Sequence, residues 1–177
     1  QDIVYRTFAG EELRLDFMRP AGEGPFPLVV CIHGGGWQQG SKNSFRSALT
    51  RFIERGYAAA TVQYRFADTH PFPAQLQDVK CAVIFLKNNA ERFKINPERV
   101  AAMGNSAGGH LALMLALTRP DDGFESCEVS GADASVSAAV NWFGPTSFPT
   151  WEVSEQTRAN FEMGFKKSFN RMLEDLV

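Results

Sequence analysis

Apolar and polar residues alternate along residues 2–8 and again along 13–19, with Ala9-Gly10-Glu11-Glu12 between them. That alternation is the pattern of an antiparallel hairpin with one buried face. After a glycine- and proline-rich loop at 20–25 the pattern changes. Residues 28–32, Leu-Val-Val-Cys-Ile, are apolar without a break, as suits a strand covered on both faces. Further strands are predicted at 57–62, 100–103 and 136–143. Between them the period lengthens to that of a helix. One helix spans 44–55 and is closed by Gly56; a second spans 74–93, with Leu76, Val79, Val83, Ile84 and Leu86 on one face; a third follows residue 106. From about residue 155 the chain reads as helix to its end, with Phe161, Phe165, Phe169, Leu173 and Leu176 in one stripe. Strands alternating with helices predict an α/β fold with a mostly parallel sheet and helices on both faces. No repeat or linker divides residues 1–177, which read as a single domain.

Two of the predicted strands run straight into glycines. The strand at 100–103 ends in Gly104-Asn105-Ser106-Ala107-Gly108-Gly109-His110, and an apolar helix pattern follows. This fits G-x-S-x-G, in which a serine occupies a tight strand-to-helix turn that exposes its hydroxyl, so Ser106 is the candidate nucleophile. The helix behind it directs its first N–H groups toward negative charge developing at that spot. The strand at 28–32 ends in His33-Gly34-Gly35-Gly36-Trp37, the HGGG type of oxyanion loop. Three consecutive glycines free the backbone N–H groups to turn toward a substrate oxygen.

Together with Tyr64-Arg65, His70-Pro71-Phe72-Pro73-Ala74 and Asn96-Pro97-Glu98-Arg99-Val100, these motifs occur in an order that resembles the α/β-hydrolase superfamily. The resemblance is to its hormone-sensitive-lipase-like and bacterial feruloyl-esterase-like carboxylesterases, and it covers nearly the whole chain. Asn105 stands where lipase-like relatives usually have aspartate, and Ala67-Asp68-Thr69-His70 where they have Ala-Pro-Glu-His; both favour the feruloyl-esterase-like branch. The resemblance implies a serine carboxylic-ester hydrolase acting through an acyl-enzyme on Ser106, with Gly35, Gly36 and Ala107 as oxyanion-hole donors and no cofactor or metal. It also implies that the acid and base of the triad come with later strands, the base on a loop near the C-terminus after two further strands. The expectation is therefore an α/β-hydrolase sheet lacking its last strands, with the triad acid and base not found in this sequence.

Trp37, Trp142 and Phe143 lie at predicted strand ends, where ligands bind in open α/β sheets, so an acyl or aromatic pocket stands beside core packing as a reading. Of the three histidines, His33 heads the glycine loop, His70 lies in a proline-flanked loop, and His110 shares a helix with Ser106. All three read as structural, since none stands where the resemblance places the general base, on a loop near the C-terminus after two further strands, and for His110 a helix does not easily turn its own side chain back to the exposed Oγ. Asp78 reads as a salt-bridge or capping group toward Arg65 rather than the triad acid. Cys31, Cys81 and Cys127 lack the spacing of a zinc site or disulfide framework and read as ordinary thiols.

Composition narrows the partners. The 177 residues are 44% hydrophobic with 15 phenylalanines, ample for a core, and the net charge of −2 argues against nucleic acid. No run approaches the roughly 18 to 20 apolar residues that span a bilayer. A cytoplasmic location and secretion with a signal already removed both remain open. The expected partner is a small-molecule ester, with a second copy or a complementing C-terminal segment covering the unpaired sheet edge. Two rivals to the ester hydrolase are a hydrolase-fold binding protein that has lost its base and a prolyl-oligopeptidase-type peptidase, against which the HGGGW loop argues.

Overall fold

Residues 1–125, 127, 133–147 and 155 are described by the computed structural model. A six-stranded sheet in the order β1-β2-β4-β3-β5-β6 runs through the described residues. It is built from β1 (Ile3–Phe8), β2 (Glu11–Met18), β3 (Phe26–Ile32), β4 (Ala58–Val62), β5 (Ile95–Asn105) and β6 (Ala138–Trp142). The pairs β1/β2 and β2/β4 are antiparallel, whereas β4/β3, β3/β5 and β5/β6 are parallel. The expected N-terminal hairpin and mostly parallel sheet are thus both present. The hairpin turn is tighter than the sequence suggests, because Ala9 and Gly10 both take positive φ, at 48° and 87°, and close a two-residue turn.

The unbroken apolar runs occupy the centre. Every residue of β4 is buried, as are Leu28 to Ile32 of β3. Helix α1 (Arg46–Ile53) covers one face through Leu49, packed with Val29, Cys31 and Ala59. Helices α2 (Ala74–Asn88) and α4 (Ala107–Leu117) cover the other, where Leu76, Val83, Leu111 and Leu115 meet Val30, Ile32 and Ala102.

Where element boundaries differ from the expected ones, three of the differences have a visible local cause. The first helix is preceded by a 3₁₀ turn at Lys42–Phe45, capped by the Ser41 hydroxyl accepting from the Asn43 N–H. The second is interrupted at Asn89, whose side-chain amide donates to the Phe85 carbonyl at 2.8 Å, and resumes briefly as α3 (Ala90–Phe93). Strand β5 begins five residues early because Phe26 pairs with Ile95 before the ladder shifts register. That pairing tolerates Pro97 where Glu98 and Arg99 face solvent.

The reading of the cysteines as ordinary thiols is corrected for two of them. Cys81, on α2, and Cys127 form a disulfide, with their Cα atoms 5.3 Å apart. The connection after α4 folds back along α2, where Lys80 meets Glu125 at 2.5 Å and Lys87 meets Asp133 at 2.9 Å. This return brings together two cysteines 46 residues apart. Cys31 remains a thiol, and burial pushes it up to about 12. Apart from Glu155, the expected C-terminal helix lies outside the described residues. Among the described residues, no helix is long and apolar enough to cross a membrane.

Candidate active site

Ser106 sits between β5 and α4 with φ 52° and ψ −123°, a conformation costly for a residue with a Cβ. The glycines around it explain how the turn is tolerated. A Cβ on Gly104 would lie 2.3 Å from the Gly108 carbonyl, and one on Gly108 would lie 2.1 Å from the Ile32 carbonyl. The spacing of the glycines is therefore a packing requirement: the two sides of the elbow touch each other and the end of β3. Ser106 is half-buried, its hydroxyl makes no capping bond to α4, and its amide donates to the Trp142 carbonyl at 2.9 Å. Ala107 is the first residue of α4, so its N–H belongs to the helix end that faces the site.

The glycine loop lies against this elbow. A Cβ on Gly34 would lie 2.8 Å from the Asn105 carbonyl and 3.2 Å from the Ser106 Cβ. Gly35 and Gly36 take φ 123° and 56°, and the Gly35 carbonyl accepts from the amides of both Gln38 and Gln39 at 3.1 Å. Gly35 has no room for a side chain, since its Cβ would fall 1.9 Å from the Gln39 carbonyl. The structure thus brings Gly35, Gly36, Ala107 and Ser106 to the adjoining ends of β3 and β5.

The head of the loop is fixed by His33. Its Nδ1 lies 2.7 Å from the Gly34 carbonyl, which can only accept, so Nδ1 carries the proton. The ring stacks on Tyr64 at 4.3 Å, and the Tyr64 hydroxyl donates to the His33 carbonyl at 2.9 Å. Burial holds the His33 imidazole below its usual value, outweighing the bond to Gly34. His110 packs edge-on against Trp37, 5.3 Å between ring centroids, and burial lowers it to about 4. His70 lies beside Phe8, near the Thr69 hydroxyl, at the far end of the proline loop. Asp78 is fully buried and accepts from Arg65 at 2.8 Å, as expected, and also from Arg6 at 2.6 Å.

Aromatic candidates divide sharply. Trp37 is 2% exposed and belongs to the core, whereas Trp142 and Phe143 are 56% and 69% exposed. The latter pair line a cleft of about 310 Å³ with Ser44, Phe45 and Asn105.

Residues 15–174 match the family model described as BD-FAE. The chain belongs to the BD-FAE family. The esterase LipC of Mycobacterium tuberculosis is 30% identical over 135 residues, 76% of this chain and 34% of its own length. Esterase LipQ of the same organism is 30% identical over 151 residues, 81% and 34% respectively. The BD-FAE chain thus spans about a third of the length of these curated relatives. Thermogutta terrifontis esterase 2 phosphorylated by paraoxon superposes with a TM-score of 0.71 at 28% identity, over 77% of this chain and 54% of its own. The apo form of that esterase reaches 0.77 over 96% of this chain and 63% of its own, at 24% identity, an agreement of fold.

Two polar residues of the BD-FAE chain enter the site without having been picked out as site residues by sequence reasoning. Asn105 accepts from the Gly34 amide through Oδ1 at 3.1 Å, tying the glycine loop to the elbow. Asn141 brackets Gly144, accepting from its amide at 2.6 Å and donating to its carbonyl at 3.1 Å. Asn105 was noted only as a marker of the branch, and for Asn141 the one signal was an asparagine near a glycine-bearing turn, too common to assign a role.

Proposed function

We propose that this chain carries the nucleophile and oxyanion hole of a serine carboxylic-ester hydrolase. The observation that carries the reading is Ser106 itself, a non-glycine residue at φ 52° between a buried strand and an apolar helix. In this reading its Oγ attacks the ester carbonyl, and the amides of Gly35, Gly36 and Ala107 receive the charge that develops on the carbonyl oxygen. The Oγ proton passes to a histidine base, which returns it to the departing alcohol, and water then releases the acid from Ser106 by the same route. His33 is committed to Gly34, His110 lies against Trp37 and His70 lies beside Phe8 and Thr69, so the histidine base and its acid partner are assigned to a segment other than these 177 residues. Such a segment, of the full protein or of another chain, would also cover the exposed flank of β6. The cleft at Trp142 and Phe143 would take the acyl or aryl group, with Trp37 packed in the core rather than in contact with it. Similarity to an esterase phosphorylated by paraoxon supports the same assignment.

Incubation with paraoxon followed by peptide mass mapping tests this directly: a diethylphosphoryl adduct on Ser106, with parallel loss of chromogenic ester turnover, is expected. Labelling elsewhere, or turnover that persists after stoichiometric labelling, would overturn it. One observation favours the alternative of a hydrolase-fold binding protein without a base: His33 is taken up by the Gly34 carbonyl, and His70 by the Thr69 hydroxyl and the Phe8 ring. On that reading the protein binds esters reversibly and is not phosphorylated.

A further inference from the structure

Just past β6 the backbone holds an unfavourable conformation. Phe143, a bulky aromatic residue, takes φ 49°, where the cost is of the order that persists only when the surroundings enforce it. The enforcing group is the Asn141 side chain. Its Oδ1 accepts from the Gly144 amide and its Nδ2 donates to the Gly144 carbonyl, bracketing residues 142 and 143.

This turn is seated on the elbow. The Trp142 carbonyl accepts from the Ser106 amide at 2.9 Å. A Cβ on Gly144 would lie 2.6 Å from the Ser106 carbonyl and 2.5 Å from the His110 amide nitrogen, and one on Gly109 would lie 2.4 Å from Asn141 Oδ1. Phe143 then stands at the cleft it shares with Asn105.

We propose that Asn141 is a positioning residue for the Ser106 site: its amide locks the 141–144 turn, so that the Trp142 carbonyl pins the Ser106 backbone and the Phe143 ring is held at the neighbouring cleft. Asparagine is required because the site offers one donor and one acceptor, both on Gly144. An ionised aspartate would accept from the amide but set two acceptors against each other at the carbonyl. The catalytic consequence rests on the reading of Ser106 as nucleophile; the structural part does not.

The structural part is tested first, by residue-resolved hydrogen exchange on the 177-residue chain. Asn141→Ala is expected to raise exchange of the Ser106 amide at least tenfold while leaving Val30 and Ala102, in the sheet centre, unchanged. Asn141→Asp, which keeps the Gly144 amide bond, is expected to fall between, and carries the measurement if the alanine variant does not fold. Unchanged Ser106 exchange in the variant would overturn the proposal. Kinetics with aryl esters of increasing acyl size, on the full protein that contains this chain, test the second part. Phe143→Gly relieves the backbone and deletes the ring. If Asn141 acts by placing that ring, Asn141→Ala raises KM for the larger esters several-fold and raises it no further in the Phe143→Gly background. Additive effects, equal for all esters, would overturn this part. A parent that turns over no ester counts against the Ser106 reading alone, and the exchange experiment still decides the role of Asn141.

Discussion

The junction of β3, β5 and α4 and the flank of β6 lie side by side, yet they are built on opposite principles. At the junction, backbone meets backbone: Gly34, Gly104 and Gly108 each lie so close to a neighbouring strand or helix that even a methyl group would clash. At the flank, Val140 and Trp142 of the strand that closes the sheet among the described residues, and Phe143 just past it, are more than half exposed. Placing a nucleophile and amide donors takes only local backbone geometry, which a short stretch of chain can encode by itself. A substrate pocket and a proton relay take side chains converging from distant segments, and here that convergence is incomplete. On the function proposed for Ser106 and the glycine loop, the junction is the half of the apparatus that a short stretch of chain can encode.

That contrast breaks most decisively at Ser106. In the full protein, Ser106→Ala is expected to lower ester kcat on the order of a millionfold, the loss seen when a triad nucleophile is removed. A variant retaining most of its turnover in a chromogenic butyrate assay would show that the tightly packed junction serves another purpose. Gly35→Ala should follow, at about 10² to 10³ in kcat, about 2.7–4 kcal/mol, with KM little changed. The added Cβ would fall 1.9 Å from the Gln39 carbonyl, so the loop must move and its amides with it. Circular dichroism matching the parent, together with a raised KM and unaltered kcat, would contradict a role that begins only past the ground state.

The same contrast governs what could be read from the residues in advance. The tight turns at Ser106 and at the glycine loop were legible because their constraints are local: a glycine two residues either side of a serine, or three glycines after a buried strand, takes its meaning from the strand before it and the helix after it, all within a few residues. The interruption of the second helix at Asn89 depends on one side-chain bond to Phe85, which periodicity does not register. The Cys81–Cys127 bridge and the pairing of Arg6 with Asp78 join residues 46 and 72 positions apart, and only the return of the chain along α2 and the hairpin's seat against it make them neighbours. Trp37 and Trp142 were both expected at strand ends, yet Trp37 lies five residues past β3 in the core, packed against His110 of α4, whereas Trp142 ends the outermost strand among the described residues and is exposed.

The packed side of the comparison can be sharpened by pH. His110 titrates at about 4 because burial opposes its charge, whereas an unfolded chain takes up the proton near the ordinary value of about 6.5. A depressed histidine means that the unfolded state binds the proton first, so stability is full above about pH 6.5 and falls as pH drops toward 4. The loss approaches about 3 kcal/mol at the acid end of that window. His33, lowered by burial too, acts in the same direction. Urea midpoints at pH 7.5 and pH 4.5 should differ accordingly, and His110→Gln should shrink the difference. A midpoint insensitive to pH in this window would mean that the ring is hydrated.

The exposed side should respond in the reverse manner, with little change in fold and a large change in association. Val140 and Trp142 alternate along one face of β6, the face on which a cleft of about 250 Å³ runs between the strand and Phe45, Phe52 and Met103. An apolar strip on an outermost strand offers both unpaired backbone groups and hydrophobic area to another chain. The 177-residue chain is therefore expected to form dimers or larger species in light scattering coupled to size exclusion. Trp142→Lys and Val140→Lys place like charges on that strip, and since both positions are already open to solvent their effect on the unfolding midpoint should stay within about 0.5 kcal/mol. The same substitutions should return the chain to a monomer. Association that survives both lysines would locate the contact elsewhere on the molecule, and a monomeric parent would mean that the flank of β6 is not adhesive despite its exposure.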